Sequence, residues 1–283
     1  MNPMNTAVRA GVTRGLTELR QALTSGPDLF SLLFWPVVMI VVLFFMRNGT
    51  LEAGGVALGA FALPSILGML VAVNGIFGMA QLLALEREDG TLLRAKAIPN
   101  GMVGYLIGKI VTVTGWVLIP FVIVLIPGLF LADGLAMNTA GAWLTLAWVL
   151  ALGMLATLPL GAIIGSAFNS PRAIGFVSMP IMGLTAISGI FYPITSMPGW
   201  VQGIAQFFPV YWLGLGMRSA MLPADAVAIE LQQSWRHLET IGMLVIWAIF
   251  GLAVAPIVLR RMARGESGSR VAARREKAMA RAY

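Results

Sequence analysis

Long apolar runs constrain this chain more than any other feature. Six stretches, at about residues 29–46, 56–85, 102–131, 142–168, 173–190 and 238–259, carry almost no charge. The first is 18 residues, about 27 Å of helix at 1.5 Å per residue, just enough for a bilayer core of about 30 Å. The second and third exceed that and must tilt, kink or project. The third also contains Pro120 and Pro127. Across the chain 58% of residues are hydrophobic and 11% charged, with mean hydropathy +0.86. A soluble domain carries about 25% charged residues. The expected fold is therefore an all-α membrane protein with six transmembrane helices in one domain, residues 1–283.

Lysine and arginine set the expected orientation. With the N-terminus in the cytoplasm, Arg9, Arg14, Arg20, Arg87, Arg94, Lys96, Arg172 and the eight basic residues after Leu259 lie inside. Lys109 is low in the third span and can snorkel to the same side. Arg47, Arg218 and Arg236 alone fall outside, a division of sixteen to three. Both termini are then cytoplasmic, and the chain is a multi-pass protein of the cytoplasmic membrane. The net charge of +7 reflects this bias, so no nucleic-acid partner is implied.

Between the spans lie four other segments. In residues 4–25, Val8, Val12, Leu16, Leu19 and Leu23 recur every three or four positions, with Arg9, Arg14 and Arg20 largely off the stripe. This pattern predicts an amphipathic helix in the membrane surface; a helix packed on a neighbour is the alternative. Residues 191–218 are too short and too broken by Pro and Gly to span, yet too apolar for a wet loop. They predict a re-entrant helical hairpin between the fifth and sixth spans, with Trp200, Tyr211 and Trp212 at headgroup depth. Residues 260–283 form a basic tail, read as a topology anchor.

The fourth segment, Leu85–Pro99, is a charged island holding Glu86, Arg87, Glu88, Asp89, Arg94 and Lys96. Glu86–Asp89 continue the second helix, Gly90 breaks it, and Thr91–Ile98 form a short helix with Leu92 and Leu93 on one side. Pro99 ends that helix. Chemistry alone leaves the island open between a solvated topology loop and a docking site for a partner.

Several chemistries are excluded. There is no cysteine, hence no disulfide or thiolate site, and one histidine, His237, which cannot make a cluster. No HExxH and no GxxxxGK[ST] phosphate loop occur, so this chain has no means of hydrolysing ATP. The spans hold neutral polar residues such as Asn74, Gln81, Thr112 and Thr185, whose ordinary role is helix–helix bonding. They lack the buried carboxylate a proton-coupled transporter needs. A membrane-embedded enzyme would need convergent polar residues at one depth, and none is seen. Energy must come from outside the chain.

The residues Glu86-Arg87-Glu88-Asp89-Gly90-Thr91 before Pro99, with Ser188-Gly189-Ile190-Phe191-Tyr192-Pro193 and then Met197-Pro198-Gly199-Trp200, Pro209 and Arg218, resemble those of type-2 ABC exporter permeases. The likeness is to the drug-resistance or daunorubicin-exporter-like branch and covers nearly the whole chain. It implies two permease chains, a homodimer, over two copies of an ABC ATPase that holds ATP and Mg. No cofactor belongs to this chain. The island becomes a coupling helix, with Glu86, Arg87, Glu88, Gly90, Thr91, Leu92 and Arg94 meeting the ATPase. The second and fifth spans line the path, through Asn74, Phe77, Gln81, Phe176, Met182 and Thr185. Phe191, Tyr192 and Pro193 form an outer gate. The cargo expected is hydrophobic or amphipathic, drug- or antibiotic-like. Lipid or polysaccharide export is the alternative, and a non-transporting membrane subunit a more distant one.

Overall fold

The computed structural model describes residues 3–50, 55–88, 90–98, 100–168 and 171–265. Asp89, Pro99, Glu266–Tyr283 and the side chains of Glu88 and residues 171–173 lie outside this description, and with them the expected roles of Glu88, Pro99, Arg172 and most of the basic tail.

The described residues form helices and turns, with one isolated bridge between Thr50 and Ala57. In chain order the α-helices are α1 (Pro3–Thr24), α2 (Gly26–Met46), α3 (Leu58–Val73), α4 (Met79–Glu88), α5 (Thr91–Lys96), α6 (Gly101–Leu131), α7 (Ala140–Ala167), α8 (Pro171–Ile187), α9 (Gly199–Phe207), α10 (Pro209–Met221) and α11 (His237–Gly265). A π-turn, Asn74–Gly78, joins α3 to α4, so Leu58–Arg87 is one continuous helix.

Among the described residues five helices are long and apolar enough to cross a membrane: α2, the α3–α4 helix, α6, α7 and α11, of 21 to 31 residues. Five are found where six were expected. The stretch expected as a fifth span is α8, with 17 residues, whose apolar part is Ile174–Ile187. At 1.5 Å per residue α8 reaches about 26 Å, close to the ~27 Å expected of the first span and at the lower limit for crossing a bilayer core. Gly189, at φ 72°, then turns the chain in a left-handed conformation.

Small residues bring the helices together. On α10, a Cβ at Gly214 would lie 3.1 Å from Arg218 Nη1 and one at Gly216 would lie 2.9 Å from Val149. A Cβ at Gly68 of α3 would lie 3.0 Å from the Gly214 backbone. Only such close backbone approach seats α10 among α3, α7 and α11, with Tyr211, Leu213, Leu215 and Met217 wholly buried. The hairpin expected over 191–218 is thus a short amphipathic helix, α9, followed by an inserted one. Tyr211 and Trp212 are buried within the protein, at 0% and 3% exposure; Trp200 alone of the three is exposed. The main core gathers around α3, α6, α7 and α10. The α3–α4 helix is the most enclosed span and α2 the least.

α1 packs along α6 rather than across it. Ala7 and Gly11 meet Gly104, Gly15 meets Gly108 and Val111, and Leu19 meets Gly115. The numbers rise together, so the two helices run in the same direction over about three turns. A Cβ on Gly15 would lie 2.6 Å from the Gly108 carbonyl, and one on Gly104 2.9 Å from that of Ala7. The stripe Val8, Val12, Leu16 and Leu23 faces away and stays exposed.

Candidate functional site

The island folds onto one end of the bundle. Gly90, at φ 73°, lets the chain leave α4 and enter α5 at once. Asn100, at φ 55°, makes the second corner into α6. α5 turns Leu92 and Ala95 inward, onto a cluster with Leu83, Tyr105, Leu259 and Met262. Its other side carries Thr91 and exposed Arg94, whose Nη2 donates to Thr91 Oγ1 at 3.0 Å. Lys96 Nζ donates to the Ala263 carbonyl of α11 at 3.0 Å. Arg87 Nη1 donates to the carbonyls of Ser166 and Phe168, at 3.2 and 3.0 Å, at the end of α7. The island therefore grips α6, α7 and α11 at once.

Beneath it lies a charge cluster. Lys109 of α6 is 1% exposed and does not snorkel to the surface, correcting that expectation. Its Nζ pairs with Glu18 Oε2 at 2.6 Å and with Glu86 Oε1. Arg14 donates to Glu18 Oε1 at 2.9 Å and to Glu86 Oε1 at 3.4 Å. The Thr112 hydroxyl lies 2.9 Å from Glu18 Oε2. Two cations thus face two carboxylates, which is the condition under which charges tolerate burial. Burial alone would raise the Glu18 carboxyl, but its bonds from Lys109, Arg14 and Thr112 outweigh that and hold it below the ordinary value. The cluster joins α1, α4 and α6. Glu86 is buried within it, so the outward edge of the island is Thr91 and Arg94 rather than Glu86. Between α1 and α5 runs a groove of about 530 Å³, edged by Thr6, Ala10, Arg14, Thr91, Arg94 and Ile98.

The expected path residues fall into two sets. Asn74 and Phe77 lie in the π-turn and Gln81 one turn on, all half-buried. A turn of this kind departs from the regular ladder and frequently marks a functional point in a helix. Gly75 there abuts Thr157, and Gly161 of α7 sits against the carbonyls of Gly75 and Ile76. On α8, Phe176 and Met182 are exposed at 76% and 67%, with Met179 between them. Thr185 is on the other face, buried, donating to the Ile181 carbonyl at 2.9 Å. The two sets meet where Ile174 packs on Ala80 and Ala84 beside Phe77. At the far end Phe191 is exposed, Pro193 is half-buried, and the Tyr192 hydroxyl donates to the Ala186 carbonyl at 2.7 Å.

A second buried charge pair went unnoticed in the sequence. Arg218, expected as an outer topology charge, is 1% exposed and bonded to Glu230, which is 3% exposed. Its sequence signal was a lone arginine inside the apolar hairpin. The α1–α6 seam had a clearer one: Gly11-x-x-x-Gly15 and Gly104-x-x-x-Gly108 carry the small-residue spacing of close helix pairs.

Five long apolar helices, sealed at one end by a charged connector and at the other by an inserted hairpin, define a multi-pass membrane protein. The sequence model for ABC-2 family transporter proteins matches residues 50–256, and the chain belongs to that family. It is accordingly a permease component of an ABC transporter, a role that implies an ATPase partner. The matched region runs from α3 into α11 and leaves α1 and α2 outside it. No curated protein matches the chain.

Proposed function

We propose that this chain is the permease of a type-2 ABC exporter, in the drug-resistance or daunorubicin-exporter-like branch. It moves a hydrophobic or amphipathic substrate outward across the cytoplasmic membrane. Two copies pair over two ATPase subunits, with the island and both chain ends on the cytoplasmic side. ATP and Mg reside in the ATPase.

The observation carrying this reading is the build of the island. A topology loop needs no fixed shape, whereas α5 is anchored by Leu92, Ala95, Lys96 and Arg87 to α6, α7 and α11, with Thr91 and Arg94 left outward. Such a part passes on a push instead of absorbing it. The push reaches α4 directly and reaches α1 and α6 through Glu86, Lys109 and Glu18. The exposed apolar face of α8, with Phe176, Met179 and Met182, suits an adaptable path or the second permease. The turn at Phe191–Pro193 is the outer gate.

The test is co-purification with an ATPase, then ATP-driven efflux of an amphipathic dye from the native host. Arg94→Ala removes an exposed cation that carries no part of the core. It is expected to lower transport roughly 10- to 100-fold, the worth of one charge-assisted hydrogen bond, with the chain still inserted. Normal transport by Arg94→Ala and Thr91→Ala would remove the island from the docking site.

A further inference from the structure

The gate turn is seated on the core through Ile190 and is tied by charge to the rest of the molecule through the Arg218 guanidinium. Arg218 uses its whole donor fork. Nε and Nη2 donate to the two carboxylate oxygens of Glu230, at 2.5 and 3.3 Å. Nη1 lies 3.2 Å from Ser65 Oγ on the second span and 3.2 Å from the carbonyl of Gly189 in the gate turn. The ring of Phe61, also on the second span, lies under it at 5.2 Å. One nitrogen is therefore shared between the span and the gate.

The turn's other polar bonds are mostly its own. Ser188 donates to Thr185, Tyr192 to Ala186 and Ser196 to Pro193. A longer contact, 3.4 Å, joins Thr195 to the Ile229 carbonyl. Gly189 has no freedom to be replaced: at φ 72° its Cβ would lie 3.0 Å from Ile194. The carbonyl offered to Arg218 is thus held by the backbone corner itself.

The second span touches both buried charge clusters. Ser65 binds Arg218 and Glu86 binds Lys109, 21 residues apart, about 31 Å along a helix. The π-turn lies between them. Movement begun at the island end shifts Ser65, and Nη1, which donates one hydrogen to Ser65 and the other to Gly189, carries that shift to the turn.

We propose that Arg218 is a positioning residue that sets the outer gate turn, Ser188–Pro193, according to where the second span stands. This rests on the export reading above, in which that turn is the gate. Glu230 fixes the fork; Ser65 reports the span; Gly189 responds. Arginine is required because a lysine ammonium is a compact charge and cannot bracket a carboxylate and two further acceptors in one plane.

The chain has no cysteine, so Phe191→Cys, at an exposed gate position, is a unique label site. A membrane-impermeant maleimide is applied to native-host membranes, with and without ATP and orthovanadate. The expected parent result is a labelling rate that changes with nucleotide. In Arg218→Lys the rate without nucleotide rises roughly tenfold, the loss expected for a buried charged hydrogen bond, and the nucleotide response disappears. Ser65→Ala leaves the Arg218–Glu230 pair in place and is expected to abolish the response with little change in the amount of protein. Should Arg218→Lys fail to accumulate, Ser65→Ala decides. A parental nucleotide response in Ser65→Ala means that Arg218 only staples the fold, and overturns the proposal. No nucleotide response in the parent overturns it as well. Co-purification of the ATPase is scored separately, because its absence strikes at the export reading and leaves the Arg218 contacts to be judged by the labelling alone.

Discussion

Lys109 shows how a single residue is decided by its neighbours. An ammonium at 1% exposure is tolerated because two carboxylates meet it. Lys109→Ala leaves Glu18 and Glu86 facing each other, with Arg14 as the remaining cation. Breaking one partner of a buried pair costs about 3–5 kcal/mol, and a lowered thermal transition of the detergent-purified protein is the expected readout. Lys109→Met together with Glu86→Gln removes one charge of each sign and is expected to recover part of that loss. Glu18 predicts the pH dependence. Its folded carboxyl titrates below the ordinary value of 4.5, so its contribution is complete above that pH. It is lost as pH falls through the depressed value. Protease protection of α1 should be flat from neutral pH down to about 5 and fall below about 4.5, and Glu18→Gln should remove that step.

At the scale of elements, glycine does in α1 and α6 what leucine does elsewhere. The seam buries backbone against backbone, so its stability comes from close contact rather than large side chains. Gly104→Val places branched carbons where the Ala7 carbonyl stands and should release α1. The expected cost is about 1–3 kcal/mol, seen as early proteolysis of residues 3–24 with the other helices intact. Gly183 provides the matched control, since it is inside α8 and nothing lies within 4 Å of its added Cβ; Gly183→Ala should not lower stability. The π-turn obeys the same logic. Gly75 and Gly161 let α7 approach the widened turn closely, which fixes where the second span departs from a regular helix.

Across the whole molecule, two buried charge clusters sit near opposite ends of one enclosed helix, and apolar packing fills the space between. That arrangement separates what was legible in the sequence from what was not. Long uncharged runs force helices that can cross a membrane, because hydrocarbon leaves no other way to satisfy the backbone. The runs that became α2, the α3–α4 helix, α6, α7 and α11 were readable for that reason. The island was readable too, since six charged residues between apolar runs stand out in any window. Its short helix appears at Thr91–Lys96, within the stretch expected. The end of the fifth run was less readable, because α8 and the hairpin after it have nearly the same composition; the corner at Gly189 separates them. Nor were the pairings legible: Glu18, Glu86 and Lys109 lie 68 and 23 residues apart along the chain, and Arg218 meets Ser65 across 153. The sequence by itself determined the class of protein, through local hydropathy and charge. Only the tertiary structure decided which charges are buried, which face of α1 packs and what holds the turn at Gly189, because each depends on contacts between segments far apart in the chain.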